Sequence, residues 1–291
     1  KKKTLDTLVQ DIYDKLDTLT EGQSLGVSEE TATAFGESMK QALLGWSGEH
    51  PVNKPTLRMS NVGKPNRQLW YDMKATDQKN SFSASTQIKF LYGHILEEVV
   101  LFLARLAGHE VTDEQKEVKV QGIKGHMDCK IDGEVVDVKT ASGFAFKKFK
   151  DGTLADDDPF GYMAQIAGYE AAEGTEHGGF LTLNKESGEL ALFRPQELDK
   201  PNIVQRIKTL KKQIKQDTPP DKCYGTVPEG TSGNMKIARP CVYCRHKFVC
   251  HADANDGEGL RVFKYSKKLE YLTNVAKLPR VREVTNEWKK S

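Results

Sequence analysis

The chain has 291 residues, with 43 Lys and Arg against 41 Asp and Glu, and 37% of its residues are hydrophobic. Disordered, collagen-like and coiled-coil proteins are excluded by this composition, and the length suits one large domain or two small ones. The most apolar stretch, residues 95–107, carries three charged side chains and is too short to span a bilayer, so we expect no membrane partner. No apolar segment follows the basic residues 1–3, which predicts a cytoplasmic location.

Three helices and one irregular connection are predicted in the first part of the chain. Apolar residues at helical spacing indicate an amphipathic helix near 4–19 and a second one with Ser28 as its N-cap. Three prolines make residues 48–66 an irregular connection. Residues 86–107 are apolar nearly all round, which predicts a buried helix ending near Gly108.

Alternation of apolar and polar residues follows, and it predicts three short strands near 116–121, 124–131 and 134–139. Asp132-Gly133 is a strong hairpin signal between the second and third of these strands.

The next stretch of sequence predicts a helix, a hairpin and a long helix. Asp158 and Pro159 predict the start of the first helix, which runs to about residue 172. A hairpin over 179–184 and 189–194 follows, and a long helix ends near Ile214.

This order of elements predicts an α/β fold with a central mixed sheet flanked by helices. We expect an N-terminal helical appendage over 1–60, a core over 61–216, a small Cys-rich metal-binding module over 217–256, and a basic C-terminal tail over 257–291. Such a tail can bind phosphate backbones, or it can be an ordinary solvated surface.

Two carboxylates and a lysine form the most informative group of residues. Asp128 and Asp137 flank the predicted hairpin turn, so adjacent strands can bring them to one edge of the sheet. Paired carboxylates suit a hard cation such as Mg²⁺ or Mn²⁺. Lys139 lies on the same strand face as Asp137, where an ammonium group can act on water or on a phosphate. An exposed ion pair is the alternative.

Two predicted helices carry further polar residues at helical spacing. His94 and Glu98 are four residues apart on the predicted buried helix, with Glu97 adjacent. Tyr162, Gln165 and Tyr169 share one face of the later helix. Taken singly, each of these residues also has an ordinary structural explanation.

Together and in this order, these motifs resemble the PD-(D/E)XK nuclease superfamily, specifically its RecB-like exonuclease branch. The resemblance covers residues from about 60 to 250 and makes 61–216 the nuclease core. It rests on residues 93–98 (Gly-His-Ile-Leu-Glu-Glu), 125–128 (Gly-His-Met-Asp), 137–139 (Asp-Val-Lys) and 162–169 (Tyr-Met-Ala-Gln-Ile-Ala-Gly-Tyr, of which Tyr162, Gln165 and Tyr169 are the polar members).

The resemblance implies a role for each matching residue. His94, Asp128, Asp137 and the Val138 carbonyl would ligate Mg²⁺ or Mn²⁺, and Lys139 would serve the attacking water. Gln165 and Tyr169 would hold DNA and the lysine region. Glu98 fits the helical glutamate of the family, although the adjacent Glu97 fits as well.

The function implied is a metal-dependent exonuclease that hydrolyses phosphodiester bonds at DNA ends. Chains of this size and pattern are similar to bacteriophage recombination or replication exonucleases, which would place the protein in the host cytoplasm with phage proteins as possible partners. A structure-specific or restriction-type endonuclease and a catalytically idle DNA-binding subunit are the alternatives.

Lysines and aromatic residues alternate after the predicted catalytic strand. Lys147, Lys148 and Lys150 are interleaved with phenylalanines, which is typical of a loop that binds single-stranded or frayed DNA ends. The alternative is a strand whose phenylalanines face the core. With Tyr162, these lysines are the candidate DNA-binding residues.

Four of the five cysteines, Cys223, Cys241, Cys244 and Cys250, lie close together in the sequence, which favours metal ligation over disulfides in a reducing compartment. The late three resemble those of iron–sulfur CRISPR-associated exonucleases. However, Asn66 stands where that family places an early cysteine, so Cys223 would have to be the fourth ligand. A 4Fe-4S cluster and a tetrahedral Zn²⁺ both remain open.

Overall fold

The computed structural model describes residues 3–48, 55–74 and 83–288. Its helices are α1 (Leu8–Asp17), α2 (Glu29–Ser47), α3 (Asn66–Lys74), α4 (Ala84–Leu106), α5 (Gly143–Lys150), α6 (Tyr162–Glu173), α7 (Ile203–Ile214), α8 (Arg239–Val242), α9 (Lys247–Cys250) and α10 (Thr285–Trp288). Its strands are β1 (Val111–Thr112), β2 (Lys116–Val120), β3 (Ile123–Met127), β4 (Cys129–Ile131), β5 (Glu134–Ala141), β6 (Gly179–Asn184), β7 (Leu190–Phe193), β8 (Val227–Pro228), β9 (Met235–Lys236), β10 (Arg261–Lys264), β11 (Leu269–Asn274) and β12 (Arg282–Glu283).

The chain divides into two compact units. The first comprises residues 1–63 and 76–210, and the second comprises residues 64–75 and 211–291. This division differs from the four consecutive segments expected from the sequence, because the early segment 64–75 belongs to the same unit as the C-terminal third of the chain.

A mixed five-stranded sheet in the order β1-β4-β5-β6-β7 lies at the centre of the first unit, as predicted. Strands β5 and β6 are parallel, and their neighbours pair in antiparallel fashion. Strands β2 and β3 form a separate two-stranded hairpin. The Asp132-Gly133 turn has positive φ at both residues, which is the geometry that the hairpin signal predicts.

The two faces of β5 have different roles. Val136 and Val138 join an apolar core that α1 and α4 cover. Asp137 and Lys139 alternate with them and therefore point to the opposite face. On that opposite face α5 and α6 pack, through the contacts of Phe149 and Tyr162 with Phe180 of β6.

Several predicted elements are confirmed. A short 3₁₀ turn and α1 fill the predicted first helix, α2 begins after Ser28, whose side chain accepts a hydrogen bond from the Thr31 amide, and α7 ends at Ile214. The second hairpin is β6–β7. The expected connection over 48–66 lies partly outside the described residues, and α3 begins at its end.

The prediction of a wholly buried helix over 86–107 is wrong in its first half. Only the C-terminal half of α4 contributes to the core, through Val100, Leu101 and Ala104. Ile88 and Tyr92 in the first half are about half exposed. Uniform apolarity does not reveal that the core covers only one end of this helix.

The expected strand over 124–131 is interrupted at Asp128. Residues before it form β3, which pairs with β2, and residues after it form β4, which pairs with β5. The strand changes partners at this residue, and the amide of Val138 binds the Asp128 side chain there.

Two further corrections concern helix starts. Residues 143–150 form the helix α5, and not the expected loop or strand. The later helix α6 begins at Tyr162 and not at Pro159, although Asp158 does cap it: its carboxylate accepts hydrogen bonds from the Gly161 amide at 2.9 Å and the Met163 amide at 2.8 Å.

The second unit contains another five-stranded sheet, in the order β12-β10-β11-β9-β8. Leu260, Val262 and Tyr271 are buried in its core, so residues 257–288 are part of a folded sheet and not a separate tail. Several basic residues of this segment pair with glutamates, as Arg261 does with Glu283. The terminal Lys289 and Lys290 lie outside the described residues.

None of the helices in the described parts of the chain combines the length and apolar character that crossing a bilayer requires.

The start of α6 is held by a close approach of two glycine backbones. Gly161 has φ +81°, and a Cβ atom on Gly63 would lie 2.2 Å from the Gly161 carbonyl oxygen. Since Gly161 directly precedes Tyr162, this contact holds the first residue of the helix that carries the polar face of the site.

We expect Gly63→Ala to lower the free energy of unfolding by about 1–3 kcal/mol, because the added methyl group overlaps backbone atoms. The matched control is Gly36→Ala in α2, where a Cβ atom meets nothing within 4 Å. That change should stabilise the protein by roughly 0.4–1 kcal/mol. Urea denaturation measures both, and equal effects of the two substitutions would contradict the close packing of Gly63.

Candidate active site

Three charged side chains meet where β3 gives way to β4 alongside β5. Asp128 lies at the interruption, and its Oδ2 accepts a hydrogen bond from the Val138 amide at 2.7 Å. Asp137 and Lys139 are the neighbours of Val138 on β5, one on each side of it. The expected convergence of the two carboxylates and the lysine is therefore present in the first unit.

Asp137 is fully buried, which is unusual for a carboxylate. Its Oδ2 forms an ion pair with the Lys139 ammonium, whereas its Oδ1 has no hydrogen-bond partner among the described residues. The ammonium lies over the ring of Tyr162, 4.9 Å from its centroid. The pair is thus a buried ion pair and not the exposed one considered as an alternative, and it leaves one carboxylate oxygen free to bind a ligand.

Burial raises the proton affinity of both carboxylates, and for Asp128 the charge of Asp137 adds to this effect. Burial, followed by the charge of Asp137, raises the pKa of Asp128 to about 7. Burial also raises the pKa of Asp137, against the opposing effect of Lys139. For Lys139, burial alone would lower the pKa, but the charges of Asp137 and Asp128 outweigh it and hold that pKa well above its usual value. Lys139 is therefore a cation at neutral pH.

Glu97 of α4 belongs to the same electrostatic group. Burial, and then the charges of Asp128, Glu98 and Asp137, raise its pKa to about 8. Its Oε1 accepts a hydrogen bond from the Gln115 side chain at 2.9 Å. Glu98 has one buried oxygen without a partner among the described residues. The sequence offers Glu97 and Glu98 as the helical glutamate of the site. Besides burial, the charges of both aspartates raise the pKa of Glu97, which favours Glu97.

Gln165 and Tyr169 form a short hydrogen-bonded chain from α6 to β3. The Gln165 amide donates to the Tyr169 hydroxyl at 3.0 Å, and this hydroxyl donates to the His126 carbonyl at 2.7 Å. Both side chains are buried. Their contact with the backbone two residues before Asp128 orients the strand that carries this carboxylate.

His94 differs from its expected environment. It is exposed on α4, whereas the sequence predicts a buried position that requires a partner. Across the described ranges, no three His, Cys, Asp or Glu side chains lie close enough together to hold a metal ion. The structure thus brings Asp128 and Asp137 together but does not add His94 to them as a third ligand.

The two aspartates nevertheless fit a divalent cation. Mg²⁺ is commonly bound by one or two carboxylates and keeps several of its waters, so a third protein side chain is not required. The unpartnered Oδ1 of Asp137 supplies a free ligand atom, and Asp128 supplies a second carboxylate. A cation would also offset the carboxylate charges that, after burial, raise the pKa of Glu97 and Asp128.

The predicted DNA-binding lysines lie on α5. Lys148 pairs with Asp157 and Lys150 with Glu189, whereas Lys147 is exposed. No ion pair of Lys147 occurs within the described part of the chain. Of the three, Lys147 is the residue with a side chain that is not already committed to a carboxylate.

The cysteines of the second unit do not form a ligand group of the expected kind. The thiols influence one another's charges, since burial, and then Cys244, Cys250 and Cys223, raise the pKa of Cys241 to about 11. However, Cys223 is exposed, and the Arg67 guanidinium donates a hydrogen bond to the Cys250 sulfur at 3.2 Å. As placed, these residues do not fit a 4Fe-4S cluster or a Zn²⁺ ion.

Another polar cluster in the second unit was not predicted. Asp72 accepts hydrogen bonds from Arg245 at 2.6 Å and pairs with the buried His246 at 2.7 Å, and the ring of Tyr71 stacks on this histidine. The segment that carries Asn66 therefore packs within the same unit as the late cysteines. Asp72 and His246 are 174 positions apart, so no local sequence pattern predicts their pairing.

No protein-family model matches the chain, and no curated protein matches it. Among solved structures, the crystal structure of SSO0001 is 16% identical with a TM-score of 0.37, covering 75% of this chain and 94% of that one. An alkaline exonuclease (LHK-Exo) from Laribacter hongkongensis is 13% identical with a TM-score of 0.36, covering 53% of this chain and 89% of its own.

A phage-related exonuclease from Haemophilus somnus 129PT is 11% identical with a TM-score of 0.38, and the match covers 56% of this chain and 92% of that one. All three TM-scores are below 0.5 and all three identities are below 25%, so these likenesses carry no argument about this chain. The functional proposal below therefore rests on the residues of the site and not on these likenesses.

The raised pKa values of Glu97 and Asp128 predict a pH dependence of stability in metal-free buffer with EDTA. A carboxyl group with a folded-state pKa above its unfolded value stabilises the fold fully below pH of about 4, and this contribution is lost as pH rises through the folded-state pKa. Stability should thus fall between pH of about 5 and 8, by up to about 1.4 kcal/mol per pH unit for each group.

Urea denaturation as a function of pH measures this fall. Asp128→Asn and Glu97→Gln should each flatten it, because the neutral amide has no proton to lose. The control Asp113→Asn removes a carboxyl group with a lowered pKa and should leave the fall in place. Parallel pH profiles for wild type and Asp128→Asn would show that the assigned carboxyl groups do not carry the effect.

Proposed function

We propose that this chain is a metal-dependent deoxyribonuclease that hydrolyses phosphodiester bonds at DNA ends. The observation that carries the proposal is the group of Asp128, Asp137 and Lys139, in which the buried Asp137 has one carboxylate oxygen without a partner among the described residues and an ammonium group lies beside it. Few structural roles require two aspartates with raised pKa values around a lysine in the middle of a folded unit.

Asp128 and Asp137 would hold the divalent cation, Mg²⁺ or Mn²⁺, with the Val138 carbonyl as a further ligand. Such a cation, when bound, polarises a phosphoryl oxygen and makes water a better nucleophile. His94 and Glu97 are proposed to border the site, and the carboxyl group of Glu97 would take up or release a proton near pH 8, close to its pKa.

Lys139 is proposed to orient the attacking water and to stabilise the negative charge that develops on the scissile phosphate. Its raised pKa makes it a poor proton acceptor, which favours these two roles over that of a general base. A fixed cation aimed at the developing charge contributes strongly to catalysis in a site that excludes water.

DNA would approach over the face formed by α5 and α6. Lys147 is exposed there and would contact phosphates. The ring of Tyr162 lies under the Lys139 ammonium, beside the scissile phosphate in this proposal. Gln165 and Tyr169 would act mainly through the backbone of His126, by holding β3 in position.

The resemblance of the motifs to phage exonucleases supports a role in phage DNA recombination or replication. An idle DNA-binding subunit would have little reason to keep a lysine paired with a fully buried aspartate.

We expect the protein to degrade end-labelled linear DNA in the presence of Mg²⁺ or Mn²⁺ and to leave covalently closed circular DNA intact. EDTA should abolish cleavage. Nicking or linearisation of the circular substrate would identify an endonuclease, and the absence of cleavage with either metal would identify an idle subunit.

In the same assay Asp137→Ala and Lys139→Ala should lower the cleavage rate by about 10²–10³, since each removes an interaction with the metal or with the developing charge. The control is Lys40→Ala, which removes an exposed lysine of α2 whose ion pair among the described residues is with Glu37 of the same helix. Wild-type rates in either site variant would rule out this assignment of the active site.

A further inference from the structure

Two aromatic rings lead from the lysine of the site to the surface of the first unit. The Lys139 ammonium lies over the Tyr162 ring, and the Phe160 ring stacks on that of Tyr162 with their centroids 5.5 Å apart and their planes 26° apart. Tyr162 is largely covered, whereas 60% of Phe160 is exposed. Phe160, the outer ring of this stack, is therefore accessible to a ligand close to the Lys139 ammonium.

The segment that carries Phe160 is held in place from both sides. On one side the Asp158 carboxylate accepts hydrogen bonds from the Gly161 and Met163 amides. On the other, the backbone of Gly161 is in close contact with that of Gly63. An exposed ring on a fixed segment loses little conformational entropy when a planar ligand stacks on it.

The surroundings of the stack are cationic and aromatic. Helix α5 reaches Tyr162 through Phe149, at 6.0 Å between ring centroids. The same helix carries the exposed Lys147 and the exposed Phe144, above which the Lys148 ammonium lies at 5.6 Å from the ring centroid. Cations beside exposed aromatic rings are the combination by which proteins bind single-stranded nucleic acid without regard to sequence.

We propose that Phe160 stacks on an unpaired base of the DNA strand whose phosphate lies at Lys139, and that this contact makes DNA with single-stranded ends the preferred substrate. The inference rests on the proposed nuclease function and deepens it. A base in the interior of a duplex is covered on both faces by its neighbours, whereas an unpaired base has a face available to this ring. Phe160 is thus a specificity residue for single-stranded or frayed ends.

A nucleobase accounts for the arrangement better than a protein partner does. The exposed ring is continuous, through Tyr162, with the ion pair of Lys139 and Asp137 at which a phosphodiester would react. A partner protein docked on Phe160 would cover the approach to that ion pair.

The first measurement is binding in EDTA, where the proposed hydrolysis cannot occur. The probe is a single-stranded oligonucleotide with 2-aminopurine as its terminal base, because the fluorescence of this base is quenched when it stacks. Wild type and Phe160→Trp should quench it. Phe160→Ala should bind the probe about 5- to 100-fold more weakly and lose the quench, and Phe160→Leu should lose the quench as well.

The second measurement compares kcat/KM on single-stranded and blunt duplex DNA with Mg²⁺ or Mn²⁺. Phe160→Ala should lower the single-strand to duplex ratio by a similar factor. The matched control Leu198→Ala removes an apolar side chain that is 95% exposed and belongs to the same unit, and it should leave both the ratio and the quench unchanged.

The outcomes separate the two proposals. If the wild type cleaves DNA and Phe160→Ala keeps the same ratio and quench, the stacking role is overturned while the nuclease function stands. If the wild type cleaves no DNA, the proposed function fails, and the quench alone decides whether Phe160 stacks on a base. A change of oligomeric state in Phe160→Ala with unaltered DNA binding would assign the ring to a contact between copies and overturn the inference.

Discussion

The first unit places two carboxylates close together around the buried Asp137, and the ammonium of Lys139 offsets part of their charge. Asp137 is fully buried and its charge acts on Asp128, so the pKa of each carboxyl group lies above its usual value. Removing a charge from water is expensive unless it is paired, and one lysine cannot pair with two aspartates fully. The fold therefore retains an electrostatic cost at this point, which a bound divalent cation would relieve.

The surrounding architecture maintains this arrangement. The change of strand partner at Asp128 turns its side chain towards the Val138 amide, and the hydroxyl of Tyr169 holds the preceding residues through the His126 carbonyl. The glycine contact at the start of α6 fixes Tyr162, which in turn covers the lysine. Catalytic proteins commonly accept such local cost where function needs a preorganised group.

Much of the fold follows from patterns along the sequence. Amphipathic spacing predicts α1 and α7, and the Asp132-Gly133 turn predicts the hairpin that brings β4 beside β5. The approach of Asp128, Asp137 and Lys139 follows from the same hairpin, because register across a short turn is fixed by the turn itself. These features depend on residues that are only a few positions apart, and the periodicity of apolar residues reflects contacts over this short distance along the chain.

The features missed by sequence analysis depend on contacts between distant segments. The exposure of His94 arises because the core covers only the far end of α4, and the role of Glu97 depends on where that helix crosses the strands. The sheet formed by residues 227–283 has strands of two to six residues, too short for a clear alternation. The pairing of Asp72 with His246 joins residues for which local patterns give no information.

The central claim is that Asp128 and Asp137 together bind a divalent cation. Titration of Mn²⁺ into metal-free protein, followed by calorimetry at neutral pH, tests it without any assumption about the substrate. The account predicts saturable binding with proton release to the wild type, and loss of that binding in Asp137→Asn with the fold intact. Equal Mn²⁺ binding by the wild type and Asp137→Asn would contradict it.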